Sequence, residues 1–389
     1  MTNVAVGTDA GRVLQLFRAR GELSRTDVMQ LSGLSRSTIN HRLTALTDKG
    51  LLRPVQGGES TGGRPSSRFA FNAQRAAVLT VDIGASGFLA AICDLEGEPV
   101  AHAARRVDVW SGPQVVLSAV EQVFTALLDE HPVEVWGIGV GVPGPVEYAA
   151  HQVISPPIMT GWDRFDIAGW FESRHGCPVV VENDANARAI AEARASGLDN
   201  LICLKIGTGI GSGLVFNGSI IRGHQGAAGD VGHTRATSDD AARSVECRCG
   251  NTGCVEALAG GWALVRDLDE RGVDVHDVTD VVRLCTSGDL ETNRLVRRAG
   301  RVIGDAVATL VGTLNPRRVV ISGQLADCGE VLLSGIRERV YQRVLPLATQ
   351  ELEITVSALG RFAGVGGLAT STADHLLSTE AIERLLVEA

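Results

Sequence analysis

The stretch Val78-Leu79-Thr80-Val81-Asp82-Ile83-Gly84-Ala85-Ser86 predicts the architecture of most of this chain. Its first four residues form a mostly apolar run typical of a buried strand, and the Asp-Ile-Gly that follows is typical of the turn that ends one. A second apolar run covers Phe88 to Cys93, residues 95–98 favour a turn, and a third strand begins near Val100. The pattern predicts a hairpin sheet at the start of an α/β domain.

A second glycine-rich loop, Gly207 to Gly213, follows a predicted strand over Leu201 to Ile206. A strand that ends in Asp-x-Gly before a hairpin is typical of the first phosphate loop of actin-like and sugar-kinase ATPases. Both loops expose backbone N–H groups, which can bind phosphate oxygens. We therefore predict a two-lobed α/β domain of the actin/hexokinase-like ATPase fold. The alternative is that the glycines only form tight turns, and the side chain of Ala85 favours that alternative for the first loop.

The composition is that of a globular protein, and its charge is unevenly distributed. Of the 389 residues, 44% are hydrophobic and 21% are charged. Residues 8–75 contain 11 Lys and Arg against 5 Asp and Glu, whereas the remainder contains 25 against 40. A basic head on an acidic body predicts that only the head contacts a polyanion. We find neither a signal-peptide pattern nor an apolar run of about 20 residues, and we therefore expect a cytoplasmic protein with no membrane partner.

Residues 8–50 have the pattern of three helices. The third is predicted over residues 36–49, with Ile39, Leu43 and Leu46 facing the core. A short second helix, a glycine-containing turn and a polar third helix are typical of a helix-turn-helix. The expected N-caps of the second and third helices are Ser24 and Ser35. The opposite face of the third helix carries the predicted DNA contacts, which are Arg36, Ser37, Thr38, Asn40, His41 and Arg42.

The segment after these helices has the pattern of a β-wing. A glycine-rich tip over residues 56–63 separates Leu52 from a return through residues 68–71. This pattern completes a winged helix-turn-helix. Arg64 lies between glycines and Pro65, and an arginine held extended in this way suits an A·T-rich minor groove. The alternative is a small helical bundle with a flexible glycine linker, whose basic residues are only solvated.

Asn183 and Asp184 lie just after the predicted strand over residues 178–181. Asp184 precedes a helix, where a carboxylate can act as general base toward a sugar hydroxyl, and Asn183 can bond a second hydroxyl. The alternative, which is compatible with the first, is that Asn183 or Asp184 caps the helix.

Three cysteines are close together in the sequence CRCGNTGC, and a histidine precedes them. His233, Cys247, Cys249 and Cys254 offer one imidazole and three thiolates, which predicts a closed tetrahedral Zn²⁺ site of the structural kind. No open position would remain for water, so hydrolytic metal chemistry is not expected. The second nitrogen of His233 can contact a sugar hydroxyl, as can Glu256. The alternative is a redox cluster or a set of buried thiols.

Together these motifs resemble the ROK family, which groups bacterial repressors with sugar kinases. The run from Ile206 to His233 resembles the family's signature, CRCGNTGCVE its zinc motif, and the Gly-Gly-Arg-Pro of residues 62–65 the wing of its regulators. The resemblance covers nearly the whole chain, and it implies that Asp184 matches the kinases' catalytic base. The implied zinc ligands are His233, Cys247, Cys249 and Cys254. The implied sugar contacts are Asn183, Asp184, His233 and Glu256, to which we add Asp230.

Several positions depart from the kinases of the family. The first loop is Asp-Ile-Gly-Ala-Ser-Gly rather than Asp-Ile-Gly-Gly-Thr-Lys, Pro157 replaces a usual Asn, and Asp230 replaces a frequent Glu. Residues 322–325, Ser-Gly-Gln-Leu, replace a run of three glycines. The zinc set is unchanged. We therefore expect a sugar sensor that has lost ATP turnover, with no catalytic residue.

These observations predict two domains and a regulator. Residues 8–75 form the expected winged helix-turn-helix DNA-binding domain, and residues 76–389 the sugar-kinase-like domain. The small lobe is expected over about 76–190 with the helices after 364, and the large lobe over about 191–363. The predicted function is a sugar-responsive repressor of carbohydrate metabolism genes, with operator DNA and a sugar or sugar phosphate as partners, in a homodimer or homotetramer. The alternatives are an ATP-dependent sugar kinase with an added DNA-binding head, and a DNA-binding protein whose sugar pocket is only structural.

Overall fold

The computed structural model of the protein describes residues 9–55, 68–236 and 244–387. The elements of the N-terminal head are α1 (Asp9–Arg20), β1 (Leu23–Ser24), α2 (Arg25–Ser32), α3 (Arg36–Asp48), β2 (Leu52–Val55) and β3 (Arg68–Phe71). The three strands form an antiparallel sheet of order β1-β3-β2 beside the helices. The predicted wing tip and Arg64 lie outside the described residues.

Local capping signals define the helix-turn-helix. Ser24 and Asp27 form a capping box: Ser24 Oγ accepts from the Asp27 amide at 3.2 Å, and the Asp27 carboxylate accepts from the Ser24 amide at 2.8 Å. Gly33 follows α2 in the left-handed conformation (φ 70°), which glycine adopts without a steric penalty. Ser35 caps α3 by accepting from the Thr38 amide. Both predicted N-caps are therefore confirmed.

The next part of the chain is a first lobe built on a five-stranded sheet. Its elements are β4 (Ala77–Ile83), β5 (Phe88–Asp94), β6 (Pro99–Arg105), α4 (Pro113–Glu130), β7 (Val135–Val142), β8 (Val146–Glu147), β9 (Gln152–Val153), α5 (Ile167–His175) and β10 (Val179–Asn183). The strand order is β10-β7-β4-β5-β6, and β8 and β9 form a separate hairpin. Strands β4 to β6 are antiparallel, whereas β7 and β10 run parallel to β4. The three predicted strands of the hairpin sheet are confirmed.

The helix α6 (Asp184–Ser196) leads into a second lobe with its own five-stranded sheet. The strands are β11 (Leu201–Ile206), β12 (Ile210–Phe216), β13 (Ser219–Ile220), β14 (Arg318–Ser322) and β15 (Glu353–Val356), in the order β13-β12-β11-β14-β15. The helices are α7 (Val255–Ala259), α8 (Gly261–Asp269), α9 (Val278–Thr286), α10 (Leu290–Leu314), α11 (Glu330–Arg343) and α12 (Pro346–Thr349). None of the helices in the described ranges is long and apolar enough to cross a membrane.

The two sheets have the same connectivity. Each consists of three antiparallel strands followed by two parallel strands, and helices precede each parallel strand. The repetition of one sheet design in two lobes is the architecture expected for the actin/hexokinase-like fold, and the predicted fold class is confirmed.

Two helices lie together between the sheets. The helix α13 (Ala363–Leu376) packs on β4 and β7 of the first lobe and on α6, while α6 also packs on β11 and β12 of the second lobe. The contact between the two helices is close, because a Cβ atom on Gly367 would lie 1.7 Å from the carbonyl oxygen of Ala187. Any side chain at this position would separate the helices.

The head and the first lobe share one hydrophobic core. Helix α14 (Thr379–Val387) packs on α1, and α13 continues the contact to the first sheet. The buried residues of this shared core include Leu14, Phe17 and Leu43 of the head, Val78 and Cys93 of the sheet, and Val365, Ala369 and Ile382 of the C-terminal helices. The orientation of the head is therefore set by packing rather than by a linker alone.

Candidate functional site

The outward face of α3 is the first candidate surface. Ile39, Leu43 and Leu46 are buried in the head, as the spacing predicts. The side chains on the opposite face that are exposed are Arg36, Ser37, Asn40 and His41, whereas Thr38 and Arg42 are half-buried. The hydroxyls of Ser37 and Thr38 each lie 2.9 Å from Ser35 Oγ, at the N-terminus of the helix. The face combines short polar groups with a guanidinium, which suits the base edges and phosphates of a major groove.

The four predicted metal ligands come together in one cluster. The ligand atoms of His233, Cys247, Cys249 and Cys254 lie within 4.8 Å of one another. His233 Nδ1 is 3.6 Å from Cys247 Sγ, and Cys249 Sγ is 3.7 Å from Cys254 Sγ. Tetrahedral zinc with Zn–S bonds of about 2.3 Å separates two thiolates by about 3.8 Å, so the donor set and its spacing fit this ion. The four residues can hold a metal, with His233 Nδ1 facing it.

Glu256, a predicted sugar contact, is buried beside this cluster and has backbone and side-chain partners. Its Oε2 accepts from the Ile210 amide at 3.0 Å, and its Oε1 accepts from Trp262 Nε1 at 3.2 Å. Its own amide donates to the carbonyl of Gly232 at 2.9 Å, next to His233. The carboxylate is thus held rigidly between the second glycine loop and α8.

Asn183 and Asp184 lie at the start of α6, and Asn183 caps it. Asn183 Oδ1 accepts from the amides of Ala185 and Asn186 at 3.0 and 3.2 Å, which confirms the predicted capping role. Its Nδ2 donates to the carbonyl of Gly144 at 3.0 Å. Both halves of the amide group therefore have protein partners. A sugar hydroxyl would have to share them.

Asp184 forms a buried ion pair with Lys205 of β11. The Lys205 ammonium contacts Asp184 Oδ2, and the two side chains are 19% and 5% exposed. Burial raises the pKa of the Asp184 carboxyl, and the positive charge of Lys205 opposes this rise. The ammonium thus occupies one oxygen of the carboxylate that resembles the kinases' base.

A second buried ion pair involves the aspartate of the first loop. Arg188 of α6 donates to Asp82 Oδ2 at 2.5 Å, and its other terminal nitrogen is 3.4 Å from Ser322 Oγ of β14. Arg188 Nε is buried and has no hydrogen-bond partner among the described residues. One arginine therefore connects the first sheet, α6 and the second sheet.

Asp230 has a different environment from the other predicted sugar contacts. Its side chain is exposed and lines a groove of about 470 Å³ between residues 227–236 and the face of α10 that carries Asp305 and Thr309. Nearby in sequence, Arg222 pairs with the buried Glu182 (2.7 Å) and its guanidinium stacks 3.8 Å from the ring centre of Tyr148.

Sequence reasoning missed the cations of this region. Lys205 and Arg188 were not among the predicted site residues, although each is paired with a carboxylate that was singled out. Lys205 is the one charged residue in the otherwise apolar strand Leu201 to Ile206, and a charge that is buried needs a partner. That signal could have pointed to Lys205. Arg188 lies in a helix with several charged residues and gave no comparable signal.

Comparisons with known proteins agree with this architecture. The model of the ROK family matches residues 78–374. A model described as the C-terminal domain of the DIP2311-like transcriptional regulator matches residues 12–66. The xylose repressor of Bacillus spizizenii is 27% identical over 363 residues, which cover 91% of this chain and 92% of that repressor.

Two solved structures resemble the fold. A ROK family transcriptional regulator, a homologue of the E. coli MLC protein, superposes with a TM-score of 0.81 at 24% identity. The match covers 98% of this chain and 99% of the chain of that regulator. A ROK family glucokinase from Streptomyces griseus, in complex with glucose and AMPPNP, has a TM-score of 0.68 at 27% identity and covers 75% of this chain and 98% of its own.

Proposed function

The chain belongs to the ROK family, and from that membership we propose that it is a sugar-responsive transcriptional repressor whose family domain binds a sugar effector and a structural Zn²⁺ ion. The observation that carries the proposal is the head: a helix-turn-helix with an exposed polar face on α3 shares its core with the family domain. Such a face supplies contacts to phosphates and base edges. A relative that matches over nearly the full length is a xylose repressor.

The zinc ion would be held by His233, Cys247, Cys249 and Cys254, and it would supply a rigid tetrahedral centre. Four protein ligands leave no position for a reacting water, which is the structural form of a zinc site. The Glu256 amide donates to the Gly232 carbonyl, and this hydrogen bond holds the loop before His233 against Glu256. In the proposal, the sugar is bound by Asn183, Asp184, His233 and Glu256, with Asp230 at the edge of the site.

The proposed function includes no phosphoryl transfer. A general base must offer a free carboxylate oxygen to the hydroxyl that it deprotonates. Lys205 contacts Oδ2 of Asp184, and Arg188 contacts Oδ2 of Asp82. One oxygen of each carboxylate is thus already paired with an internal cation, and this supports the proposal of a binding site without phosphoryl transfer.

In the proposed mechanism, the sugar closes the two lobes on each other and thereby changes the spacing of two heads in an oligomer. A ligand changes DNA affinity only to the extent that it binds one arrangement of the lobes more tightly than the other. A homodimer or a dimer of dimers matches the two-fold symmetry of operators.

We propose residues 8–75 and 76–389 as the two domains, with the small and large lobes bounded near residues 190 and 364. An operator DNA partner implies action in the cytoplasm.

Operator binding measured with and without sugars tests the proposal. The panel consists of D-xylose, other pentoses, hexoses and their phosphates, and one of them is expected to change operator affinity by about 5- to 150-fold. If no sugar changes the affinity, the sensing role is wrong. ATP consumption with the same sugars tests the kinase alternative, and sugar-dependent turnover would establish that alternative. If no sugar in the panel raises the melting temperature and none changes the DNA affinity, the pocket is only structural.

A further inference from the structure

Four side chains form a continuous stack of indole and guanidinium groups. The guanidinium carbon of Arg248 lies 4.7 Å from the ring centre of Trp262 and 5.9 Å from that of Trp110. The guanidinium of Arg266 lies 5.3 Å from the Trp262 ring. Each distance is within the range in which a cation is attracted to the negative face of an aromatic ring. Arg248 therefore contacts two tryptophans at once.

The two tryptophans belong to different lobes. Trp110 lies in the turn Val109–Ser111 of the first lobe, where the Val109 amide donates to the Ala85 carbonyl of the first glycine loop at 3.0 Å. Trp262 lies in α8 of the second lobe, and its amide donates to the Thr208 carbonyl of the second glycine loop at 3.1 Å. Arg248 thus joins the lobes beside the two glycine loops.

The stack is also connected to the proposed ligand site. Trp262 Nε1 donates to Glu256 Oε1 at 3.2 Å, and Arg248 stands between the metal-binding residues Cys247 and Cys249. A change in the position of Glu256 would therefore move Trp262, and a change in the metal cluster would move Arg248. Both changes reach Trp110 through the same guanidinium.

We propose that Arg248 is an interlobe latch that holds Trp110 of the first lobe against Trp262 of the second lobe and thereby stabilises the arrangement of the lobes in this structure. That a change in this arrangement carries the sugar signal rests on the proposed function; the latch itself does not. A second contact crosses at the same side, where Arg106 pairs with Asp277 at 2.9 Å. Because Trp110 is 45% exposed and Arg106 is exposed, both contacts are weak enough to break and re-form.

Hydrogen exchange of the zinc-loaded full chain, without sugar, tests the latch. The effect of each substitution is measured in the lobe that does not carry it. Exchange is measured in residues 106–112 for Arg248→Ala and in residues 245–250 for Trp110→Ala. Both are expected to raise exchange there by about two- to fivefold, the factor that such a contact is worth at an exposed position. Arg266→Ala is the matched control, since Arg266 also stacks on Trp262 and is expected to leave residues 106–112 unchanged.

Unchanged exchange in the opposite lobe in both single variants would overturn the latch. Zinc content is measured in every variant. Where Arg248→Ala carries less zinc than the parent protein, the Trp110→Ala measurement decides, because that substitution lies in the other lobe. A separate operator-binding titration with D-xylose and the rest of the sugar panel distinguishes the two failures. A protein that responds to no sugar but passes the exchange test has the latch and lacks the proposed sensing role.

Discussion

The carboxylate of Glu383, near the end of the chain, caps the first helix by accepting a hydrogen bond from the backbone amide of Ala10 at 2.8 Å. The amide of Gly11 donates to the same oxygen at 3.2 Å. The first amides of a helix have no partner within the helix, and a negative charge at this end is favoured by the helix dipole. A side chain of the last helix thus provides the acceptor for two amides at the start of the first helix, and Glu383 is only 8% exposed. The head is anchored to the body by this contact as well as by their shared core.

Replacing Glu383 by alanine is expected to destabilise the head. The variant leaves two buried amides without their charged acceptor, at a cost of about 1–3 kcal/mol in the free energy of unfolding. Urea denaturation followed by circular dichroism measures the loss, and operator binding without sugar shows whether the head also shifts. Glu380→Ala, in the exposed first turn of the same helix, is the matched control. Equal stability of the two variants would show that the cap contributes nothing.

Replacing Cys249 by serine is expected to remove the metal and, with it, the response to sugar. Serine replaces one of the three thiolates, and the loops that carry His233 and Glu256 then lose their common centre. Mass spectrometry measures zinc per chain, and operator titration with and without the effective sugar measures the response. Cys177→Ser is the control, because Cys177 is a buried thiol of the first lobe outside the cluster. A metal-free variant with a normal response would contradict the proposed role of zinc.

Replacing Lys205 by methionine is expected to destabilise the protein increasingly as the pH rises. Burial raises the folded-state pKa of the Asp184 carboxyl group. The contribution of this group to the free energy of unfolding is therefore complete below the unfolded-state pKa of about 3.9, and it is lost as the pH rises through the folded-state pKa. Removing the ammonium raises that pKa further. The deficit relative to the parent protein therefore grows as the pH rises from the unfolded-state pKa toward neutrality, and it approaches the roughly 3–5 kcal/mol typical of a broken buried pair.

The free energy of unfolding across this pH range measures the effect of Lys205→Met. Lys49→Met, at the other lysine of the chain, is the control, and its deficit is expected to be independent of pH. A deficit for Lys205→Met that is the same at both ends of the range would mean that the ion pair does not govern the ionisation of Asp184.

Replacing Arg64 by alanine is expected to weaken operator binding by about 1–3 kcal/mol if the residue enters a minor groove. The loss should be larger on operators with A·T-rich flanks than on G·C-rich ones, because a narrow A·T-rich groove attracts arginine most strongly. Fluorescence anisotropy with the two operator types measures it. Arg53→Ala, at an exposed position on β2, controls for the loss of one positive charge. Equal losses of operator affinity in the two variants would mean that Arg64 makes only a nonspecific phosphate contact.

The fold could be predicted where the determinants are local. The spacing of Ile39, Leu43 and Leu46 gave the buried face of α3, and the cysteine spacing gave the cluster that the structure brings together. The contacts that connect the parts are not local. Lys205 is 21 residues from Asp184, Arg188 is 106 from Asp82, and Glu383 is 373 from Ala10. Periodicity carries no information on which distant charges will meet, so these pairs emerge only from the folded arrangement.

The face of α3 gives the most direct test of DNA recognition. Asn40 is exposed one turn into the helix, and an amide there can bond adenine N6 and N7 together. Asn40→Ala is therefore expected to cost about 1–3 kcal/mol in operator affinity and to relax base preference at one position of each half-site. Binding selection from a randomised operator pool measures both. Gln30→Ala, an exposed amide on α2, should leave the base preference intact. If Asn40→Ala weakens all sequences equally, α3 contacts only the DNA backbone, and the sequence specificity of the head must come from another segment.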